Sequence, residues 1–297
     1  MMNDPFLDAL LLGIFGLLIG SFLNVVIHRL PKMLERRWKS ECAEMAGTVV
    51  EDGKVFNLLT PRSRCPSCGH QIRWFENLPV LSYVFLRGQC SACGVSISWR
   101  YPMVELATAS LFAYCGWRWG ITSSAGAFCL LSAALLTAAL IDWDTTLLPD
   151  DITLPLVWAG MLAASMGWTD SSLHATNTLA ASMGWASSSL NSAMWGAVVG
   201  YLTLWMVFWG FKLLTGKDGM GYGDFKLLAA LGAWFGWTAL IPILLMSSVI
   251  GAIVGIALKF SSGLREGGYL PFGPFLAGAG LTVMITGPDR ILSFVGL

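Results

Sequence analysis

Long apolar runs separated by short polar stretches dominate the chain. A helix needs about 20 mostly apolar residues to cross a bilayer. Runs near that length fall at residues 5–27, 103–119, 125–141, 152–168, 193–214, 239–258 and 275–294, with a shorter one at 226–237. The stretch 226–258 is too long for one helix, and Gly236, Trp237 and Pro242 mark a turn within it. The pattern predicts an all-α polytopic membrane protein with about eight transmembrane helices. Three polar stretches interrupt it: a long insertion at 28–102 and short turns at 142–151 and 212–224. The expected organisation is a first helix at 1–27, a loop domain at 28–101 and a bundle of about seven helices at 102–297.

Composition agrees with this picture. Of 297 residues 55% are hydrophobic and 12% charged, and mean hydropathy is +0.65. Soluble domains carry about 25% charged residues, so an ordinary soluble protein and a disordered chain are excluded. The formal charge is zero, which gives no footing for nucleic acid. Fourteen Trp suit membrane–water interfaces. Basic residues follow the first apolar run rather than precede it, unlike a cleavable signal. Sixteen of the eighteen Lys/Arg fall in the three polar stretches or in loops on their side, and only Arg118 and Arg290 oppose them. The positive-inside rule puts the polar stretches in the cytoplasm and both termini outside. An outer loop repeats LAASMGW at 162–168 and 179–185, which reads as a local duplication without chemistry.

The long insertion holds CPSC at Cys65–Cys68 and CSAC at Cys90–Cys93, 21 residues apart, each followed by glycine. Two such knuckles complete a four-thiolate tetrahedral site, and a reducing compartment disfavours disulfides. The reading is a structural zinc ion held by Cys65, Cys68, Cys90 and Cys93. Redox dithiols are the alternative. Cys115 and Cys129 read as packed small hydrophobes, His70 as a surface imidazole, and Cys42 has no assigned role. The stretch KMLERRWK (32–39) suits anionic headgroups of membrane lipid. Glu41, Glu44, Glu51 and Asp52 read as a solvated surface.

Carboxylates at helix ends in apolar surroundings call for a reason. Asp142 ends the third predicted helix, within IDWDTTLLPDD, and Asp224 begins the sixth, within GMGYGDFKLLAALG. Both fall at the cytoplasmic boundary. Two carboxylates at one depth can share a proton and divide the work of an aspartic protease, one as base toward water and one polarising the peptide carbonyl. Asp144 competes with Asp142. Asp150 and Asp151 read more simply as helix N-caps, and capping is open to Asp224 as well.

These residues carry a resemblance. GSFLNVVIHRLP (20–31), the paired CxxC knuckles, RYPMVELAT (100–108), IDWDTTLLPD (141–150), GYGDFKLLAALGAWFG (221–236) and YLPFGPFLAGAG (269–280) occur in this order across nearly the whole chain. The set is similar to the type IV prepilin peptidases, GxGD-type aspartic proteases that are also prepilin N-methyltransferases. The resemblance implies cleavage of the basic leader of prepilins and type II secretion pseudopilins at the cytoplasmic face of the bacterial inner membrane. It implies methylation of the new amino terminus with S-adenosylmethionine. It places catalysis on Asp142 and Asp224, with Asp144, Asp150 and Asp151 as second choices. The retained cysteines fit the bifunctional form. Ser21 stands where Cys is also common in the family. No GxGxxG nucleotide loop is present, so no residue is assigned to the methyl donor. An ion-coupled transporter with a zinc ribbon, or a membrane scaffold binding a partner through its knuckle loop, are the competing readings.

Overall fold

The computed structural model describes residues 4–48, 55–169, 189–217, 219–260 and 270–295. The second copy of the repeated loop sequence (179–185), Glu51 and Asp52 lie outside them. Ten α-helices are described: α1 (Pro5–Met45), α2 (Leu81–Phe85), α3 (Arg100–Trp119), α4 (Ser123–Thr145), α5 (Asp150–Ser165), α6 (Ser189–Thr215), α7 (Tyr222–Phe235), α8 (Leu240–Phe260), α9 (Gly273–Thr286) and α10 (Pro288–Val295). No strand occurs among the described residues, only two isolated bridges. The segments Pro5–Met45, Ser123–Thr145, Leu190–Thr215 and Trp237–Phe260 are long and apolar enough to cross a membrane, and Gly273–Thr286 is a shorter apolar helix. The molecule is an all-α, multi-pass membrane protein.

Two compact units divide the chain, Met1–Ala125 and Gly126–Leu297. In the first, α1 packs along α3. The contact is close because small residues face it: a Cβ on Gly16 would lie 2.8 Å from the Ala109 Cα, and one on Gly20 would lie 2.7 Å from the Glu105 Cα. Membrane helices associate through such small-residue faces, since lipid gives them no hydrophobic drive to pair. Leu7, Leu10, Leu11, Ile14, Phe15 and Leu18 line the exposed side of α1. The apolar run predicts a helix ending near Ile27, but α1 continues through Pro31 to Met45. Beyond the span its side chains are mostly exposed and polar, a face that hydropathy does not register. Arg36 of the basic stretch stacks on Phe56, 4.4 Å from its centroid.

In the second unit α7 is the central element. Every residue from Leu227 to Phe235 is buried, as expected of a helix that is apolar all round. It packs chiefly against α6, and also against α5 and α9. At Gly196 and Gly232 the backbones of α6 and α7 touch, so that a Cβ on either would run into the other's carbonyl. The Trp234 indole donates to the Leu156 carbonyl at 2.9 Å, and Gly160 leaves room for the ring. The long apolar stretch breaks where the sequence places its turn: Gly236 has φ +80° and Trp237–Ala239 form a 3-10 turn before α8. The last predicted span, 275–294, is instead two helices, α9 and α10, parted at Gly287 with φ +81°. The Gly287–Pro288 pair that parts them is a breaker signal.

The Gly196–Gly232 contact makes a simple test of this packing. Gly232→Ala should destabilise the protein by about 1–3 kcal/mol or more, the cost of overpacking where no side chain can yield. Gly126→Ala, with open space at its Cβ, should be neutral or slightly stabilising. Thermal unfolding in detergent compares the two.

Candidate functional site

Two clusters stand out, one in each unit. In the first unit Cys65, Cys68, Cys90 and Cys93 come together, with all four sulfurs within 4.8 Å of one another. They do so because one turn is built twice. Arg64 bridges Gln71 around the first pair and Gln89 bridges Ser96 around the second. Cys65 N–H donates to the His70 carbonyl at 2.8 Å and Cys90 N–H to the Val95 carbonyl at 2.9 Å. Each turn closes on a glycine in the left-handed region, Gly69 at φ +72° and Gly94 at φ +71°, where other residues are strained.

The donor set fits a metal ion. A tetrahedral ion with bonds of about 2.3 Å holds its sulfurs about 3.8 Å apart, and Cys65 Sγ lies 3.9 Å from Cys93 Sγ. Backbone N–H groups of Cys68 and Ser67 lower the Cys65 thiol to about 6, so it is a thiolate at neutral pH. Cys93 is pushed up to about 11: the Val95 N–H acts against this, but desolvation and the crowding of Cys68, Cys90 and Cys65 outweigh it. A bound cation removes that conflict, because it favours all four thiolates.

His70 is not the bare surface imidazole its position suggests. It is half-buried, with Nε2 3.2 Å from Glu76 Oε2. Glu76 also accepts from Arg73 N–H at 2.7 Å and from the Ser91 hydroxyl at 2.6 Å. These donors hold its carboxyl at about 2, against 4.5 when free. The network ties His70, two residues after Cys68, to Ser91, the residue after Cys90. No spacing rule announces it.

The second cluster forms where α4, α7 and α9 meet. Asp142, near the end of α4, and Asp224, in the first turn of α7, are each 5% exposed, and their charges act on one another. Asp142 Oδ2 accepts the N–H of Gly273, at the start of α9, at 3.0 Å in a buried bond. Asp224 Oδ1 is buried with no hydrogen-bond partner. Leu148, between α4 and α5, packs against both Gly223 and Gly273. A Cβ on Gly273 would lie 2.6 Å from Asp142 Oδ2 and 2.9 Å from Leu148 Cδ1, so only glycine lets the amide reach the carboxylate. That amide is the component sequence reasoning missed, and the PFGP stretch was its only trace.

The other acidic residues are placed differently. Asp144, Asp150 and Asp151 are exposed. Neither Asp150 nor Asp151 is an N-cap: Pro149 occupies that position in α5, and Asp150 instead takes Lys226 Nζ at 2.6 and 2.7 Å. Gly221, not Asp224, is the N-cap of α7. In both helices the backbone turn ahead of the acid starts the helix. This leaves Asp150 to link the starts of α5 and α7.

Two family models match the chain, the bacterial peptidase A24 N-terminal domain over residues 14–119 and the type IV leader peptidase family over residues 129–256. A prepilin leader peptidase/N-methyltransferase of Pseudomonas aeruginosa is 48% identical, over 99% of this chain and 97% of its own length. The chain belongs to the type IV leader peptidase family. Proteins of the same name from Stutzerimonas stutzeri (47% identical, 99% of this chain, 96% of the relative) and Burkholderia pseudomallei strain 1026b (46%, 95% and 87%) are similar over comparable spans. No solved structure matches significantly. The cysteine cluster falls in the part matched by the N-terminal model, and both aspartates fall in the part matched by the leader peptidase model. Membership gives the ion-coupled transporter reading no support.

Two outcomes follow for the loop. Wild-type protein should bind one tetrahedral ion per chain, and Cys65→Ser or Cys93→Ser should lose it, as read by metal analysis of the purified protein. The ionised Glu76 contributes its full share to loop stability above about pH 4.5 and loses it as pH falls toward 2. The pH dependence of loop proteolysis in wild type should therefore exceed that of Glu76→Gln across this interval.

Proposed function

We propose that this chain cleaves the basic leader from type IV prepilins and type II secretion pseudopilins, and then methylates the new amino terminus. The observation that carries the peptidase reading is the buried Asp142–Asp224 pair at the junction of three helices, one carboxylate held by a backbone amide. The relatives' name supports both activities. The basic residues favour a site at the cytoplasmic face of the inner membrane, with both termini periplasmic.

The chemistry divides between the two acids. One carboxylate is ionised and takes a proton from a water molecule as its oxygen adds to the scissile carbonyl carbon. The other is protonated and hydrogen-bonds the carbonyl oxygen, which becomes the second hydroxyl of a tetrahedral intermediate. As the C–N bond breaks, a proton passes to the leaving amine nitrogen and the pair returns to its starting state. The Gly273 N–H keeps Asp142 from rotating away. The Lys226–Asp150 pair keeps the start of α7, and with it Asp224, in register with α5. The prepilin's apolar helix enters the bilayer beside the bundle and leaves its scissile bond at the boundary.

Zinc suits the four-cysteine loop, since four thiolates close its coordination and leave no position for a reactive water. Its role is to fold a loop with little core of its own. S-adenosylmethionine is the methyl donor that the relatives' name implies.

The decisive experiment is cleavage of a purified prepilin in liposomes. Asp142→Asn and Asp224→Asn should each remain folded and lose cleavage by about 10²–10⁴-fold or more, the usual worth of an acid–base group. Normal cleavage by either variant would remove that residue from the mechanism. Gly273→Ala should lower kcat by on the order of 10²-fold with KM little changed, because it displaces a reacting group rather than a binding one.

A further inference from the structure

The loop of the first unit carries an apolar face that neither the metal cluster nor peptide cleavage explains. Leu81, Val84 and Phe85 on α2 are 57%, 65% and 83% exposed, and Leu78 just before them is exposed too. Positions i, i+3 and i+4 share one side of a helix. On a soluble loop such a face is an anomaly that marks a binding surface.

Its depth is fixed by hydrogen bonds. Val80 N–H, one residue before α2, donates to Glu105 Oε2 at 2.8 Å. Ser21 of α1 hydrogen-bonds the same buried carboxylate. Glu105 stands where α3 touches Gly20 backbone to backbone. Gly20 lies seven residues inside Ile27, where the apolar run of α1 ends, which is about 10 Å at the helical rise. Glu105 itself lies two residues inside the start of the second apolar run at 103, about 3 Å at the same rise, so Val80 is held just inside the edge of the apolar layer. By contrast the guanidinium of Arg29, two residues beyond Ile27, donates to the carbonyls of Asn57, Leu58 and Pro61, so that part of the loop sits at the polar end.

We propose that residues 78–85 dip into the bilayer as an interfacial segment whose occupant is lipid: acyl chains against Leu81, Val84 and Phe85, anionic headgroups against the flanking Arg73 and Arg87. Both arginines are exposed, one on each side of the segment. A backbone N–H at the edge of the apolar layer is met best by an internal partner. Glu105 is that partner, and it is a positioning residue for the loop rather than for the reaction. The inference rests on the membrane spans alone and stands whatever the two aspartates do.

The test uses the full chain in liposomes of phosphatidylethanolamine and phosphatidylglycerol. The photo-crosslinker p-benzoylphenylalanine is placed at position 85, with Val84 as a second site should yield at 85 fall. Position 14 in α1, where Ile14 is exposed on the span, is the lipid-facing reference. Position 59, where Leu59 is exposed beside the Arg29 contacts, is the water-facing one. Lipid adducts at 85 should match those at 14 and exceed those at 59 several-fold by mass spectrometry. Glu105→Ala, which removes the acceptor, should lower the yield at 85 several-fold and leave that at 14 unchanged. Lipid adducts at 85 no more abundant than at 59, or crosslinks from 85 only to the chain itself or a second copy, would overturn the proposal. An unchanged yield at 85 in Glu105→Ala would remove Glu105 as the anchor.

Discussion

A carboxylate in apolar surroundings must be met by hydrogen-bond donors, and the second unit answers that requirement with backbone. Asp142 has the Gly273 amide and Asp224 has the backbone N–H of Gly221. The nearby cation, Lys226, is taken up by Asp150. At the other end of α7 from Asp224, the helix meets α6 through Gly196 and Gly232 with no side chain between.

The first unit meets the same constraint with backbone groups. Arg29 is buried and spends its donors on three carbonyls of the loop, while Glu105 is buried and accepts a backbone N–H from the same loop. These two opposite charges do not pair with each other. Each instead fixes one stretch of the insertion to a helix, one at the polar end of α1 and one deeper. A loop with little apolar interior gains its shape from such ties and from the doubled knuckle, whose four sulfurs suit a metal ion.

Much of this was legible from residue types. Apolar runs located the spans, and the CxxC spacing brought four sulfurs together without any knowledge of the path between them. The competition between Asp142 and Asp144 could not be resolved by spacing, since two residues on a helix end differ only in the face they occupy. The structure buries one and exposes the other. What stayed hidden was carried by the backbone. The Gly273 amide has no side chain to announce it, and helix starts at Pro149 and Gly221 displaced the acidic caps that residue preference favours. The continuation of α1 past Ile27 was hidden for another reason: hydropathy records where a helix leaves lipid, not where it ends.

The placement of glycine draws these observations together. Gly20 lets α3 approach so closely that Glu105 can serve the loop; Gly232 lets α7 seat in the interior; Gly273 lets a peptide N–H reach a carboxylate. At each position an added methyl would meet backbone or the Asp142 carboxylate, so the space is set largely by main chain. Side chains supply the chemistry in this protein, but the depth and separation at which they act are set where side chains are absent. That is why a reading built on side-chain motifs finds the aspartates and cysteines readily and finds the groups that hold them only with the fold in view.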